Sequence, residues 1–112
     1  MADTGLLELK KTTQFRKDLK RVVKRKLNVD LLDRIIQTLR ERKPLDPKYR
    51  DHALTGDYAG FRECHIQPDW LLIYMIDGEN LILTASRTGL IQICFERNHL
   101  RYAPLFPFSS PR

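Results

Sequence analysis

His52, His65 and Asp69 are the side chains whose types and spacing bear most directly on proton transfer. His52 stands in the polar stretch Arg50-Asp51-His52. His65 follows Glu63 by two residues on a strand candidate, so Phe61, Glu63 and His65 share one face. Asp69 and Trp70 open the next apolar run. Two imidazoles and a carboxyl gathered at one point can move protons in RNA cleavage by the RNA's own 2′-hydroxyl. That reaction needs a base, an acid and a cation for the phosphate, and no metal or cofactor. Arg62 and Arg87 are candidates for the cation, and Trp70 for a base-stacking platform. Blander readings stay open: a histidine on a half-buried strand also serves as a hydrogen-bonded structural residue, and a Trp before an apolar run also serves as core. Cys64 has the opposite parity from its neighbours, which points a nucleophilic thiol away from both. Cys64 and Cys94 have no metal-ligand spacing and read as reduced thiols, and neither a Gly-rich phosphate loop nor a zinc pattern occurs.

These residues need elements to hold them. Thr12 and Thr13 are N-cap candidates for a first helix, and Phe15, Leu19, Val22, Val23 and Leu27 recur behind them at helical spacing. Arg16, Lys17, Lys20, Arg21, Lys24 and Arg25 fill the other positions and make a basic face. Asn28 or Asp30 restarts the chain, Leu31, Leu32, Ile35, Ile36 and Leu39 form a second helical stripe, and Pro44 and Pro47 stop it. The stretch 45–60 mixes Pro, Asp, Gly and His and reads as a loop. The period then changes: Phe61 to Ile66, Trp70 to Ile76 and Leu81 to Ser86 are strand candidates, with a turn at Gln67-Pro68-Asp69 and a hairpin signal at Asp77-Gly78. This order predicts an α+β fold, a helical hairpin packed on a small antiparallel sheet.

At 112 residues the chain suits one domain with a real core, without disulfide or metal staples. No apolar run is long enough to span a membrane, and the N-terminal residues lack a secretory pattern, so a cytoplasmic site is expected. Charge divides sharply: 15 Lys and Arg face seven acids in residues 1–50, whereas five Arg face seven acids in residues 51–112. The basic half points to a polyanion, an acidic protein partner, or simply a solvated helix face.

The strings Asp51-His52-Ala53-Leu54-Thr55-Gly56, His65-Ile66-Gln67-Pro68-Asp69-Trp70-Leu71-Leu72-Ile73-Tyr74 and Arg87-Thr88-Gly89, in that order and spacing, resemble the YafQ branch of the RelE/ParE toxin superfamily. The resemblance covers roughly residues 8–89. It implies a two-helix, antiparallel-sheet microbial RNase fold. It also implies a type II toxin that enters the ribosomal A site, cuts messenger RNA and is neutralised by a cognate antitoxin. On the matching positions, it implies catalysis by His52, His65 and Asp69, with Trp70 beside them and Arg87 in the Arg-Thr-Gly string; Glu63 stands where the family usually has Asp. The basic helix face would then meet ribosomal RNA through its phosphates.

After Gly89 the family typically continues Thr-His-Ser-Asp-Leu-Phe and stops, and that His is catalytic. Here the chain reads Leu90-Ile91-Gln92-Ile93-Cys94-Phe95-Glu96 and runs on, with His99 at the wrong spacing. One set of synonymous codons for Leu90 to Glu96, read two bases later, spells His-Ser-Asp-Leu-Phe-stop. Residues 1–89 are therefore expected to form the toxin domain, and 90–112 a disordered tail from out-of-frame translation, with activity attenuated. The competing readings are a non-catalytic ParE-like or antitoxin-binding module, and a basic RNA-binding domain.

Overall fold

The computed structural model describes residues 5–90. Five strands and two helices follow in the order β1 (Glu8–Lys11), α1 (Thr13–Lys24), α2 (Val29–Arg40), β2 (His52–Ala53), β3 (Arg62–Gln67), β4 (Trp70–Asp77) and β5 (Ile82–Leu90). They build one sheet of order β1-β5-β4-β3-β2, antiparallel except for the parallel β1–β5 pair.

Both helices start and stop for local reasons. The Thr12 hydroxyl accepts from the Phe15 amide at 2.9 Å, and the Asn28 side chain accepts from the Asp30 amide at 3.0 Å. At the end of α1, Lys26 takes φ 62°, its amide bonds the Val23 carbonyl, and the Leu27 amide reaches Val22. Arg42, at φ 59°, ends α2 in the same way, with amides 42 and 43 bonding Leu39 and Thr38. The helix expected through Leu27 therefore stops at Lys24.

Phe15, Val22, Leu32, Ile35, Ile36 and Leu39 pack with Cys64, Ile66, Trp70, Leu72, Tyr74, Leu83 and Ala85 in one core. Burying such side chains contributes about 1.5–3 kcal/mol each. Leu71 and Ile73, of the other parity on β4, are buried as well, as the unbroken apolar run predicts for a central strand. Val23 is a correction: it is 56% exposed, and its expected place in the buried stripe of α1 is taken by Asp18.

Three further departures concern the edges of the sheet. The charged stretch Glu8–Lys11 forms an edge strand in register with Ile82 to Ala85. The stretch 45–60, expected as a loop, holds two 3₁₀ turns and the short strand β2. The β4–β5 hairpin forms, but positive φ falls on Leu81 rather than Gly78, and the Asp77 carboxylate caps the turn through the amides of Glu79 and Asn80. Strand β5 accordingly begins at Ile82 and runs to Leu90, past the expected end at Ser86. Residues 91–112, including Cys94, His99 and all but the first residue of the expected tail, lie outside the described residues.

Candidate active site

The site is set by register at the β2–β3 edge. His52 is directly opposite Glu63, so both point to one face, and His65, two residues along β3, shares it. Cys64 and Ile66 point the other way, into the core beneath the helices. The His52 and His65 rings lie 6.4 Å apart between centroids, tilted by 34°. The structure thus brings the two histidines together.

His52 is held at both nitrogens. Nδ1 lies 2.6 Å from the Arg50 carbonyl oxygen and Nε2 lies 3.0 Å from Glu63 Oε1. Both neighbours are acceptors, so the ring that fits is the imidazolium, which donates from both nitrogens. The Glu63 carboxylate, fully buried, raises the His52 pKa; partial burial opposes the shift and the Arg50 carbonyl adds to it. His65 differs: its Nδ1 lies 3.0 Å from the Pro68 carbonyl oxygen, so Nδ1–H donates there and Nε2 is the acceptor of the neutral ring. Between His65 and Gln67 the β3–β4 register shifts, a bulge that re-aims the strand end where Asp69 sits exposed in the turn.

Asp51 fastens this edge to the sheet. Its carboxylate accepts from the Tyr74 hydroxyl and from Arg62, whose Nη2 is 3.0 Å away. Burial, foremost, and Asp51 push the Tyr74 phenol well above its ordinary range, so it stays protonated and donates. Arg62, expected to face a phosphate, is 41% exposed and committed to Asp51.

Two other expected substrate contacts are corrected. Trp70 is fully buried and its indole N–H donates to Thr88 at 3.0 Å, so it offers no stacking face to solvent. Arg87 is 3% exposed and donates to Asp18 from Nε at 2.8 Å and Nη2 at 3.0 Å. A buried charge without such a partner would be very costly, which explains the acid inside α1. Of the basic residues of α1 and its C-cap, Arg16, Lys17, Lys20, Lys24 and Arg25 are exposed, whereas Arg21 is half-buried and lies 3.4 Å from Asp18. Helix α1 packs over β5, while the histidines stand at the β2–β3 edge with β4 between.

Sequence reasoning left Glu63 without a role, although its parity with His65 was legible. It also passed over Lys48, Tyr49 and Arg50. With Leu31, His65 and Ile66, these residues border a groove of about 560 Å³ beside the histidines. Among the described residues, no three His, Cys, Asp or Glu are grouped to hold a metal ion, and no helix is long and apolar enough to cross a membrane.

Residues 7–93 match the family described as the bacterial toxin of the type II toxin–antitoxin system, YafQ. The mRNA interferase toxin YafQ of Escherichia coli K12 is 36% identical over 77 residues, which span 68% of this chain and 82% of that protein. A metal-bound toxin from Helicobacter pylori superposes with a TM-score of 0.76 at 39% identity, covering 80% of this chain and all of that one. YafQ in the E. coli DinJ–YafQ toxin–antitoxin complex superposes with a TM-score of 0.73 at 32% identity, covering 80% of this chain and 98% of that one.

Proposed function

The chain belongs to the YafQ family of type II toxin–antitoxin toxins, and from that premise we propose that it is a ribosome-dependent endoribonuclease using His65 and His52 on messenger RNA. The observation that carries this reading is the pairing of two histidines, 6.4 Å apart, in different hydrogen-bonding states. His65, with Nε2 as acceptor, is the base that takes the 2′-hydroxyl proton. The 2′-oxygen then attacks phosphorus, the bond to the 5′-oxygen breaks, that oxygen takes a proton from the His52 imidazolium, and the products are a 2′,3′-cyclic phosphate and a 5′-hydroxyl. His52, held as a cation by Glu63, stabilises charge at the phosphate; to deliver a proton it must first release Arg50 or Glu63. Asp69, exposed in the adjoining turn, polarises the reacting groups.

The exposed cations of α1 supply affinity for ribosomal RNA by displacing its counterions. A cognate antitoxin binds and masks the toxin, a reading supported by the toxin–antitoxin complex that YafQ of E. coli forms with DinJ, and the chain acts in the cytoplasm where ribosomes are. Ile91, at the family's C-terminal histidine position, cannot carry a proton, so turnover is slower than in a chain ending Thr-His-Ser-Asp-Leu-Phe after Gly89.

The test is single-turnover cleavage on programmed ribosomes. His65→Gln is expected to lower the rate about 10²–10⁴-fold and Asp69→Asn to lower it less. A His65→Gln chain that cleaves like the parent overturns the reading. Replacing residues 90–112 by Thr-His-Ser-Asp-Leu-Phe is expected to raise the rate, and equal rates would refute attenuation.

A further inference from the structure

The groove beside His65 has the make-up of a subsite for a single-stranded nucleotide. Lys48 and Arg50 are exposed at its rim, Tyr49 is a half-buried aromatic wall, and Leu31 and Ile66 give it an apolar lining. The Lys48 ammonium sits 5.2 Å from the centroid of the Tyr49 ring, which holds a cation close to an aromatic surface. Arg50 takes a left-handed backbone, φ 51°, and its carbonyl oxygen holds His52, so the residue that fixes a histidine also carries a rim cation. Proteins that bind single-stranded RNA combine these two components, cations along the backbone and an aromatic or apolar surface for the base. A groove of about 560 Å³ falls within the size range of small-ligand sites, about 300–1,000 Å³. Arg62 and Arg87, the cations expected from the sequence, are held by Asp51 and Asp18, whereas Lys48 and Arg50 lie beside His65 and open to solvent.

The geometry points to this groove as the seat of the nucleotide flanking the scissile bond, with its base against Tyr49, Leu31 and Ile66 and its phosphate between Lys48 and Arg50. The inference rests on the cleavage reading for its substrate but not for its binding chemistry. The β3–β4 register shifts between His65 and Gln67, and both His65 and Ile66 border the groove there, so a bound nucleotide lies against the proposed base.

The experiment is an NMR titration of the whole chain with the four 3′-mononucleotides, and with inorganic phosphate as the comparison. Nucleotides are expected to shift Tyr49, His65 and the Leu31 methyl signals, and phosphate alone only the rim cations. Lys48→Gln with Arg50→Gln, both exposed and safe for the fold, should weaken nucleotide and phosphate binding alike. Tyr49→Ala should weaken nucleotide binding about tenfold or more while leaving phosphate unchanged. If Tyr49→Ala disturbs the fold, the pair Tyr49→Phe and Tyr49→Leu separates ring from bulk: only Leu should lose nucleotide affinity. Shifts confined to the α1 cations overturn the subsite, as does a cleaving parent whose rate is unaltered in the Lys48→Gln/Arg50→Gln chain. Nucleotide binding in the groove by a chain that leaves messenger RNA intact supports the subsite and overturns the cleavage reading alone.

Discussion

Replacing His52 by Ala should destabilise the fold as well as disturb its chemistry. Glu63 is fully buried, and its Oε1 lies 3.0 Å from His52 Nε2. Removing the imidazole takes from a buried carboxylate the cation that faces it. Breaking a fully buried pair costs about 3–5 kcal/mol. The His52 side chain is 41% exposed, so solvent screens the pair and water enters when the ring is gone, which reduces the cost to about 1–2 kcal/mol. For a domain of this size that corresponds to a fall in Tm on the order of 5–15 °C. The pair also gives a pH dependence. The folded His52 pKa is raised by Glu63 above its unfolded value of about 6.5, so the stability from the pair is fully present below that pH. It is lost as pH rises through the folded pKa, when His52 gives up the proton that faces Glu63. Scanning calorimetry of parent and His52→Ala chains between pH 6 and 9 should show the widest gap at pH 6 and a narrowing gap above it. Glu63→Gln should flatten the parent's slope, and His52→Ala with Glu63→Gln should recover part of the loss. A His52→Ala chain that melts with the parent at pH 6 would show that the carboxylate does not depend on the imidazole.

Asp18→Asn, which breaks the ion pair with Arg87 at 1% and 3% exposure, should cost about 3–5 kcal/mol and lower the urea midpoint sharply; a midpoint within about 0.2 M of the parent, a change of only about 0.2–0.6 kcal/mol, would contradict the pairing. Lys26→Gly should raise stability by roughly 0.5–1 kcal/mol because the residue that ends α1 sits at φ 62°, and an unchanged or lower midpoint would refute strain there. Cys64 is buried and its thiol is pushed far above the ordinary range, mainly by that burial, so peptide mapping after native iodoacetamide treatment at pH 8 should find it unmodified until the chain is unfolded.

The helices and central strands were legible because each carries its signal within a few residues. Thr12 caps α1 as expected, Asn28 caps α2, and the unbroken run from Trp70 marks the central strand. Strand β1 was not legible. Glu-Leu-Lys-Lys is mostly exposed at a sheet edge, where charges suit the position but imitate a loop. Strand β2 has two residues, too few for any period. Val23 and Asp18 exchanged roles because the buried stripe of α1 is decided by what it meets: Arg87 needs a carboxylate more than the helix needs another methyl contact. At the site, parity alone joined Glu63 to His65. Setting His52 against Glu63 required the β2–β3 register, which no local pattern carries. Lys48 and Arg50 read as loop charges because the groove is closed by Leu31, from a distant helix.

The residues that looked like substrate contacts, Trp70 and Arg87, are both buried in one hydrogen-bond network. The Trp70 indole donates to Thr88 Oγ1, that hydroxyl donates to the Leu71 carbonyl, and both the Thr88 amide and the Arg87 guanidinium donate to Asp18. Each of these groups is buried, so each bond forgone would leave a polar atom away from water at about 1–3 kcal/mol. Together they tie the start of β4, the end of β5 and the middle of α1 to one another. The start of β4 is where Asp69 emerges, directly after Pro68, whose carbonyl oxygen lies 3.0 Å from His65 Nδ1, and Thr88 and Gly89 lie at the end of β5. A buried network that fixes both strand ends can fix the direction of the Asp69 carboxylate without touching RNA. Substitutions in it should therefore lower stability and turnover together, whereas a change at Lys48 or Arg50, exposed at the groove, should leave stability intact and act on RNA alone.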